Sequence, residues 1–342
     1  MDATDSKILN LLQASFPLTE RPFAEIAANL RLSEAAAIAR AQSLAMGGPL
    51  RKIGPILDSR ALGHTSTLAA LSVPAERVDA VAELVNLFPG VTHNYLREAE
   101  GKSAPYNMWF TLHAKDEVEL RATLSEIERQ SGLKVACFDA TKMLKVSVRF
   151  NLDESAEESD SICGAQTSAA RPVRGIGSDP EHTPGLASGE IDDKDTALLR
   201  ATQDGLSICA EPYAAVGALI GMSGEEVTNR LARMLEAGVV RRVAASIAHR
   251  SAGFVANAMV AWNMPEDRID EIGNAFAKRK EVTHCYARKT APGWPYNLYT
   301  MVHGKSKGQC DRIIAGMSKA TGSKDFIALY STRELKKTSF HI

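Results

Sequence analysis

Two short stretches carry the same three polar side chains in the same order: His93, Tyr95 and Arg97 in VTHNYLRE, and His284, Tyr286 and Arg288 in VTHCYARK. In a strand, residues two apart share a face, so each stretch presents an imidazole, a phenol and a guanidinium side by side. An imidazole titrates near neutrality and can deliver a proton or ligate a metal. A guanidinium grips a carboxylate through its planar fork. A second histidine follows each triplet, His113 in PYNMWFTLHA and His303 in PYNLYTMVHG, with Tyr106 and Trp109 or Tyr296 and Tyr299 close by in sequence.

These elements belong to a tandem repeat. Arg40 aligns with Arg230, Gly48 with Gly238, Arg51 with Arg241, Arg60 with Arg250 and Gly63 with Gly253, all at an offset of 190 residues. Apolar residues at helical spacing predict three short helices in each copy, over 5–15, 23–30 and 33–46, then over 195–203, 212–220 and 223–237. Ser33 reads as a plain N-cap, Ser223 with Glu226 as a capping box, and Gly48 and Gly238 as helix stops. Each trio and the β-prone stretch after it resemble a winged helix-turn-helix. A βαββαβ pattern follows, with strands at 68–73, 91–96, 108–113 and 135–138 and helices at 75–88 and 116–131. The second copy repeats it at 256–263, 283–288, 298–303 and 326–329, with helices at 266–279 and 307–321. The predicted class is α+β: a tandem duplication in which each copy is a winged helix-turn-helix followed by a ferredoxin-like (RAM-type) domain. The expected boundaries are 1–64 and 65–152 for copy 1, 191–254 and 255–342 for copy 2. Between them, 153–190 is rich in Ser, Gly, Pro and acid, and predicts a flexible linker open to proteolysis.

Composition narrows the class. The 342 residues are 45% hydrophobic, with 40 Lys+Arg against 41 Asp+Glu, which excludes a disordered tail, a collagen-like chain and a disulfide scaffold. No apolar run approaches the roughly 18–20 residues of a membrane span, and MDATDSKILN lacks the features of a signal peptide, so a cytoplasmic location is expected. The five cysteines are scattered with no C-x-x-C pair, which argues against a cysteine zinc site.

VTNRLARMLEAGVVRRV (227–243) resembles the third helix and wing entry of the feast/famine, leucine-responsive AsnC-type regulators. A narrower resemblance rests on RKIGPILDSRALG, HRSAGF, NAMVAW, THCYAR and YNLYTMVH: these are similar to siroheme decarboxylase, here with both subunits in one chain. The resemblance spans about 300 residues and implies a flat iron tetrapyrrole with eight carboxylates as substrate. Two of its acetates would become methyls, giving 12,18-didecarboxysiroheme on the way to haem d1 or to haem by the alternative route. It further implies Trp262, Tyr286, Trp294, Tyr296 and Tyr299 as walls of an apolar slot, and Arg241, Arg242, Arg250 and Arg288 as carboxylate partners beside His249. His284 and His303 are the implied proton donors or axial iron ligands, with Arg288 and Tyr286 in the catalytic set. His93, Arg97 and His113 could form a second site. No separate cofactor or protein-owned metal is expected, since the iron arrives with the substrate. Asp58 falls on Ala248 and Gly54–Pro55 on Ala244–Ala245, so whether both copies catalyse stays open. A pseudo-dimer within the chain is expected, with further copies or homologous subunits as additional partners.

The alternative is a ligand-responsive transcription regulator. A DNA reader needs Lys and Arg on its recognition helix. The 33–46 helix has only Arg40, and 223–237 has Arg230 and Arg233 beside three glutamates. Arg40 and Arg230 therefore read as packing or local ion-pair residues, and no specific DNA binding is expected.

Overall fold

Asp–x–x–Asp boxes start the first helix of each copy. In the computed structural model, which describes residues 1–101, 103–146, 191–248, 251, 253–338 and 340, the Asp2 and Asp5 carboxylates each accept from the other's backbone N–H at the head of α1 (Ala3–Ala14). Asp192 and Asp195 do the same for α6 (Asp193–Thr202). Ser33 caps α3 (Glu34–Met46) and Ser223 caps α8 (Gly224–Glu236). The predicted capping box at Ser223 is only half made, because the Glu226 carboxylate turns instead to Arg230 and Lys194. With α2 (Pro22–Leu30) and α7 (Pro212–Ile220) these complete two helical trios. Gly48 and Gly238, at φ +90° and +78°, follow the third helices as expected.

The two trios share one core. Ile8, Leu9, Leu12, Phe16 and Phe23 of copy 1 pack with Leu198, Leu199, Tyr213 and Leu231 of copy 2, and Tyr213 Oη donates to the Pro17 carbonyl at 2.8 Å. Their wings pair with each other as an antiparallel two-stranded sheet, β1 (Leu50–Leu57) against β6 (Val240–Ile247). Gly54 lets the end of α6 approach, since a Cβ there would lie 3.1 Å from the Thr202 carbonyl oxygen.

The remaining strands form a closed barrel. Copy 1 supplies β2 (Thr65–Leu71), β3 (Val91–Ala99), β4 (Met108–Ala114) and β5 (Val135–Val146). Copy 2 supplies β7 (Ala256–Trp262), β8 (Val282–Arg288), β9 (Leu298–Gly304) and β10 (Phe326–Lys337). The order is β10-β3-β4-β2-β5-β8-β9-β7, closing β7 on β10. Each copy therefore forms a four-stranded sheet, and the last strand of each runs on to pair with the other copy. β5 and β10 are much longer than predicted, and residues 140–146 and 329–337 are the part that pairs with the other copy.

Helices α4 (Val78–Asn86), α5 (Glu117–Ser131), α9 (Ile269–Lys278) and α10 (Lys307–Thr321) cover the outside of the barrel. The predicted first turns of α4 and α9 are instead tight 3-10 turns, Ala75–Arg77 and Glu266–Arg268, which lack a side-chain cap. The segment 153–190 lies outside the described residues. With two long inter-copy ladders and a joint helical core, a chain cut between the copies should elute as one particle on gel filtration. Separation of the halves in native buffer would contradict this pairing.

Candidate active site at the wing end of the shared barrel

A bulge aims each histidine. On β3 the register with β4 slips between Val91 and His93, and on β8 the register with β9 slips between Val282 and His284. The extra residue, Thr92 or Thr283, lets the valine face the helix-side core while the histidine two positions on turns into the barrel. The same threonine then fixes the ring: Thr92 Oγ1 lies 3.0 Å from His93 Nδ1, and Thr283 Oγ1 lies 2.9 Å from His284 Nδ1. Nε2 is the nitrogen left for chemistry. From there the strands alternate regularly, so His93–Tyr95–Arg97 and His284–Tyr286–Arg288 all face inward.

Cross-copy pairing joins the two triplets into one site. Lys337 of β10 lies opposite His93 and Val146 of β5 opposite His284. The charges of Lys337 and His284 both act on His93, and those of Arg241, Arg288, Lys337 and Lys145 act on His284. The wings complete this end of the barrel. Arg241 ion-pairs with Asp58 at 2.9 Å and its Nη2 approaches Met143 Sδ, opposite Tyr286, at 3.6 Å. Arg51, its counterpart, lies 3.7 Å from Glu334, opposite Tyr95. His113 lies close to His93, with Phe340 5.3 Å from its ring.

Deeper in, both guanidinia lack an ion-pair partner among the described residues. Arg97, only 5% exposed, reaches the Leu329 carbonyl at 3.3 Å and Asn257 Oδ1 at 3.4 Å, and lies over the Tyr95 ring. Arg288 donates to the Phe138 carbonyl at 2.7 Å and lies over the rings of Tyr286 and Tyr299. Nε of each is buried and unbonded among those residues. An uncompensated buried cation is costly, so the arrangement is built for an anion. Beyond the arginines an aromatic cluster fills the barrel, formed by Tyr106, Trp109, Phe138, Trp294, Tyr296 and Tyr299, with Trp294 Nε1 donating to Tyr299 Oη at 2.7 Å.

Burial and surrounding positive charge hold the imidazoles neutral. Burial first, then Lys337, push His93 down to about 3; burial and Arg241 push His284 down to about 4; burial and His64 push His113 down to about 4. Below the ordinary value of 6.5 the unfolded chain therefore takes up protons that the folded chain refuses. The stability these groups contribute is fully present above about pH 6.5 and is lost as pH falls toward 4, by roughly 1–3 kcal/mol per imidazole. The ligand-free protein should show a Tm that drops steeply between pH 6.5 and 4. A flat profile there would contradict the burial.

Most of the predicted residues converge, with corrections. His284, Tyr286, Arg288 and Arg241 meet at one end, and His303 sits on the inward face of β9 beside Asn257. His93, Arg97 and His113 are not at a separate second site; they face the same barrel space. Trp262 does not line it. Its ring is fully buried outside the barrel between Phe276 and Phe326, and its Nε1 donates to Thr300, because its alternation places it on the helix-covered face. Tyr296 and Tyr299 belong to the aromatic end, Tyr299 under Arg288. Arg242 is half-buried next to Arg241 at a bulge of β6, where the register with β1 slips, so strand alternation does not assign its face. His249 and Arg250 lie outside the described residues. Arg51 and Lys337 were missed; Arg51 alone had a signal, its alignment with Arg241.

Family comparisons agree with this architecture. A model described as the AsnC-like ligand binding domain matches residues 61–145 and 251–336, and one described as the siroheme decarboxylase NirDL-like HTH domain matches 5–51 and 195–241. The siroheme decarboxylase of Hydrogenobacter thermophilus is 32% identical over 97% of this chain and 92% of its own. The chain belongs to the siroheme decarboxylase family. The NirDL subunit of the Paracoccus denitrificans siroheme decarboxylase is 34% identical over 92% of this chain and 89% of its own. The β subunit from Methanosarcina barkeri is 43% identical over 44% of this chain and all of its own, so a separate decarboxylase subunit corresponds to part of the fused chain. The crystal structure of siroheme decarboxylase NirDL in complex with an iron-uroporphyrin III analogue superposes with a TM-score of 0.68 at 28% identity, covering 98% of this chain and 93% of that one.

Proposed function

We propose that this protein is a cytoplasmic carboxy-lyase that converts two acetate side chains of siroheme to methyls, yielding 12,18-didecarboxysiroheme. The observation that carries this reading is the pair of buried guanidinia without ion-pair partners among the described residues, Arg97 and Arg288, beside two threonine-anchored imidazoles and under the wing arginines. A polycarboxylate guest supplies the missing counter-charge.

Arg288 and Arg241 would hold the acetate about to react, with Arg97 and Arg51 facing the opposite rim. Withdrawn from water, the carboxylate loses the hydration that stabilises its charge. The carbon–carbon bond breaks, CO2 leaves, and the electron pair spreads into the conjugated macrocycle. His284 then gives a proton from Nε2 to the methylene carbon, completing a methyl. The imidazole is neutral in the free protein, but substrate carboxylates offset the surrounding cations and favour the protonated form. The proton therefore enters with the substrate. His93 stands in the equivalent place on the other rim, with His113 and His303 flanking. The test is anaerobic incubation with siroheme followed by mass analysis: loss of two CO2 supports the reading, and unchanged siroheme with intact binding would make this a carrier.

The structure offers the regulator reading little. Arg40 is paired with Asp2 and Asp5 at 2.8 and 2.7 Å, and Arg230 with Asp192 and Asp195 at 2.8 Å each. Arg233 also pairs with Asp195. Cations tied up in this way displace few phosphate counterions. Duplex DNA should bind weakly and without sequence preference in a gel-shift assay at physiological salt, and tight site-specific binding would reinstate a regulator.

A further inference from the structure

The two wing arginines are equivalent in the repeat but are held differently. Asp58, just after β1, is fixed from three sides: its N–H donates to the Val239 carbonyl at 2.9 Å, Oδ1 accepts from Arg60 N at 3.0 Å, and Oδ2 meets Arg241 Nη2 at 2.9 Å. Both side chains are largely withdrawn from water, at 19% and 26% exposure, so the pair is less screened than a surface one. Among the described residues Arg51 has no such anchor. It meets the Glu334 carboxylate at 3.7 Å, and it is 39% exposed. The repeat places Ala248, not an acid, where copy 1 has Asp58.

Asp58 also leaves Arg241 unfinished. Nε of Arg241 is buried and unbonded among the described residues, so one edge of the guanidinium remains for a second anion. That edge belongs to a group lying over the β5–β8 seam, where Met143 faces Tyr286 and whose charge is felt at His284.

We propose that Asp58 is a positioning residue: it fixes Arg241 over the His284 rim for one orientation of the reacting carboxylate, and so makes the two rims of the site inequivalent. This rests on the decarboxylase reading. Without Asp58 the guanidinium still attracts carboxylates, but it samples several rotamers and meets the acetate in the wrong geometry as often as the right one. Asp58 also offsets part of the Arg241 charge at His284. Among the described residues, the other charged or titratable groups on the inward side near that imidazole are Arg288 and Tyr286 on β8, His303 on β9, Lys337 on β10 and His93 on β3, whereas Lys145 of β5 turns to the helix side and donates to the Arg279 carbonyl at 2.7 Å.

The test compares Asp58→Asn with Asp58→Glu and Glu334→Gln in the full chain. Asp58→Asn should lower kcat on siroheme about tenfold or more with KM unchanged or lower, as expected when orientation rather than attraction is lost. Asp58→Glu should recover most of kcat, and Glu334→Gln should cost several-fold less than Asp58→Asn. In the ligand-free protein, the His284 imidazole followed by NMR should titrate lower in Asp58→Asn. A simple staple between the wings would move Tm but neither the His284 titration nor the split between kcat and KM. Unchanged kcat and titration in Asp58→Asn, or equal effects of Asp58→Asn and Glu334→Gln, would overturn the proposal. Wild-type protein that leaves siroheme untouched would sink the decarboxylase reading instead, while the titration still reports whether Asp58 governs Arg241.

Discussion

His284→Ala is expected to slow siroheme turnover by about two to four orders of magnitude, the usual contribution of a positioned general acid. Affinity for iron uroporphyrin should stay within a few-fold, because carboxylate contacts and ring burial carry the binding. The expectation rests on the geometry of the bulge: Thr283 engages Nδ1 and fixes the ring, so alanine removes the proton donor without disturbing the strand around it. Single-turnover kinetics with binding followed by absorbance separates the two effects. If His284 instead ligates the iron, the variant will show a shifted absorption band and weaker binding. Near wild-type turnover by both His284→Ala and His303→Ala would move the chemistry to His93 and His113 on the opposite rim.

Arg288→Ala should cost both affinity and rate, together about two to three orders of magnitude in kcat/KM. A charge-assisted fork on a carboxylate contributes more than a neutral hydrogen bond, and each ~1.4 kcal/mol lost is tenfold. The same change removes the donor to the Phe138 carbonyl but also relieves the burial of an unpaired cation, so the loss in kcat/KM should exceed any change in Tm. Arg288→Lys separates these causes, since it keeps the charge but not the planar fork. It should restore part of the binding and little of the rate. If Arg288→Lys turned over siroheme as fast as wild type, Arg288 would be acting as a point charge alone.

The repeat, the two hairpins and the inward triplets were legible in the sequence because each leaves a local mark. VTH with Tyr and Arg at two-residue spacing recurs in both copies, and the helices announce themselves by caps and apolar spacing. What was not legible is long-range pairing. The crossing parts of β5 and β10 carry Lys142, Lys145, Glu334, Lys336 and Lys337, so their apolar alternation stops near Phe138 and Leu329, and the strands were ended there. The facing of Trp262 was lost for a different reason: β7 is apolar on both sides, being buried under helices and inside the barrel, and periodicity cannot tell the two apart. That Lys337 lies opposite His93 follows only from closure of the barrel, which no residue type signals.

Closure also dictates how a guest travels. An open sheet can breathe by fraying its outermost strand, whereas here every staves-to-neighbour seam is stitched on both sides, so a rigid disc cannot slip in sideways without tearing a whole ladder. The far end is corked by Trp109, Trp294 and Tyr296. Among the described residues, β1 and β6 stand over the histidine end of the barrel. The two wings are zipped together over a joint helical core, so lifting one of them would drag the other and the helical block with it.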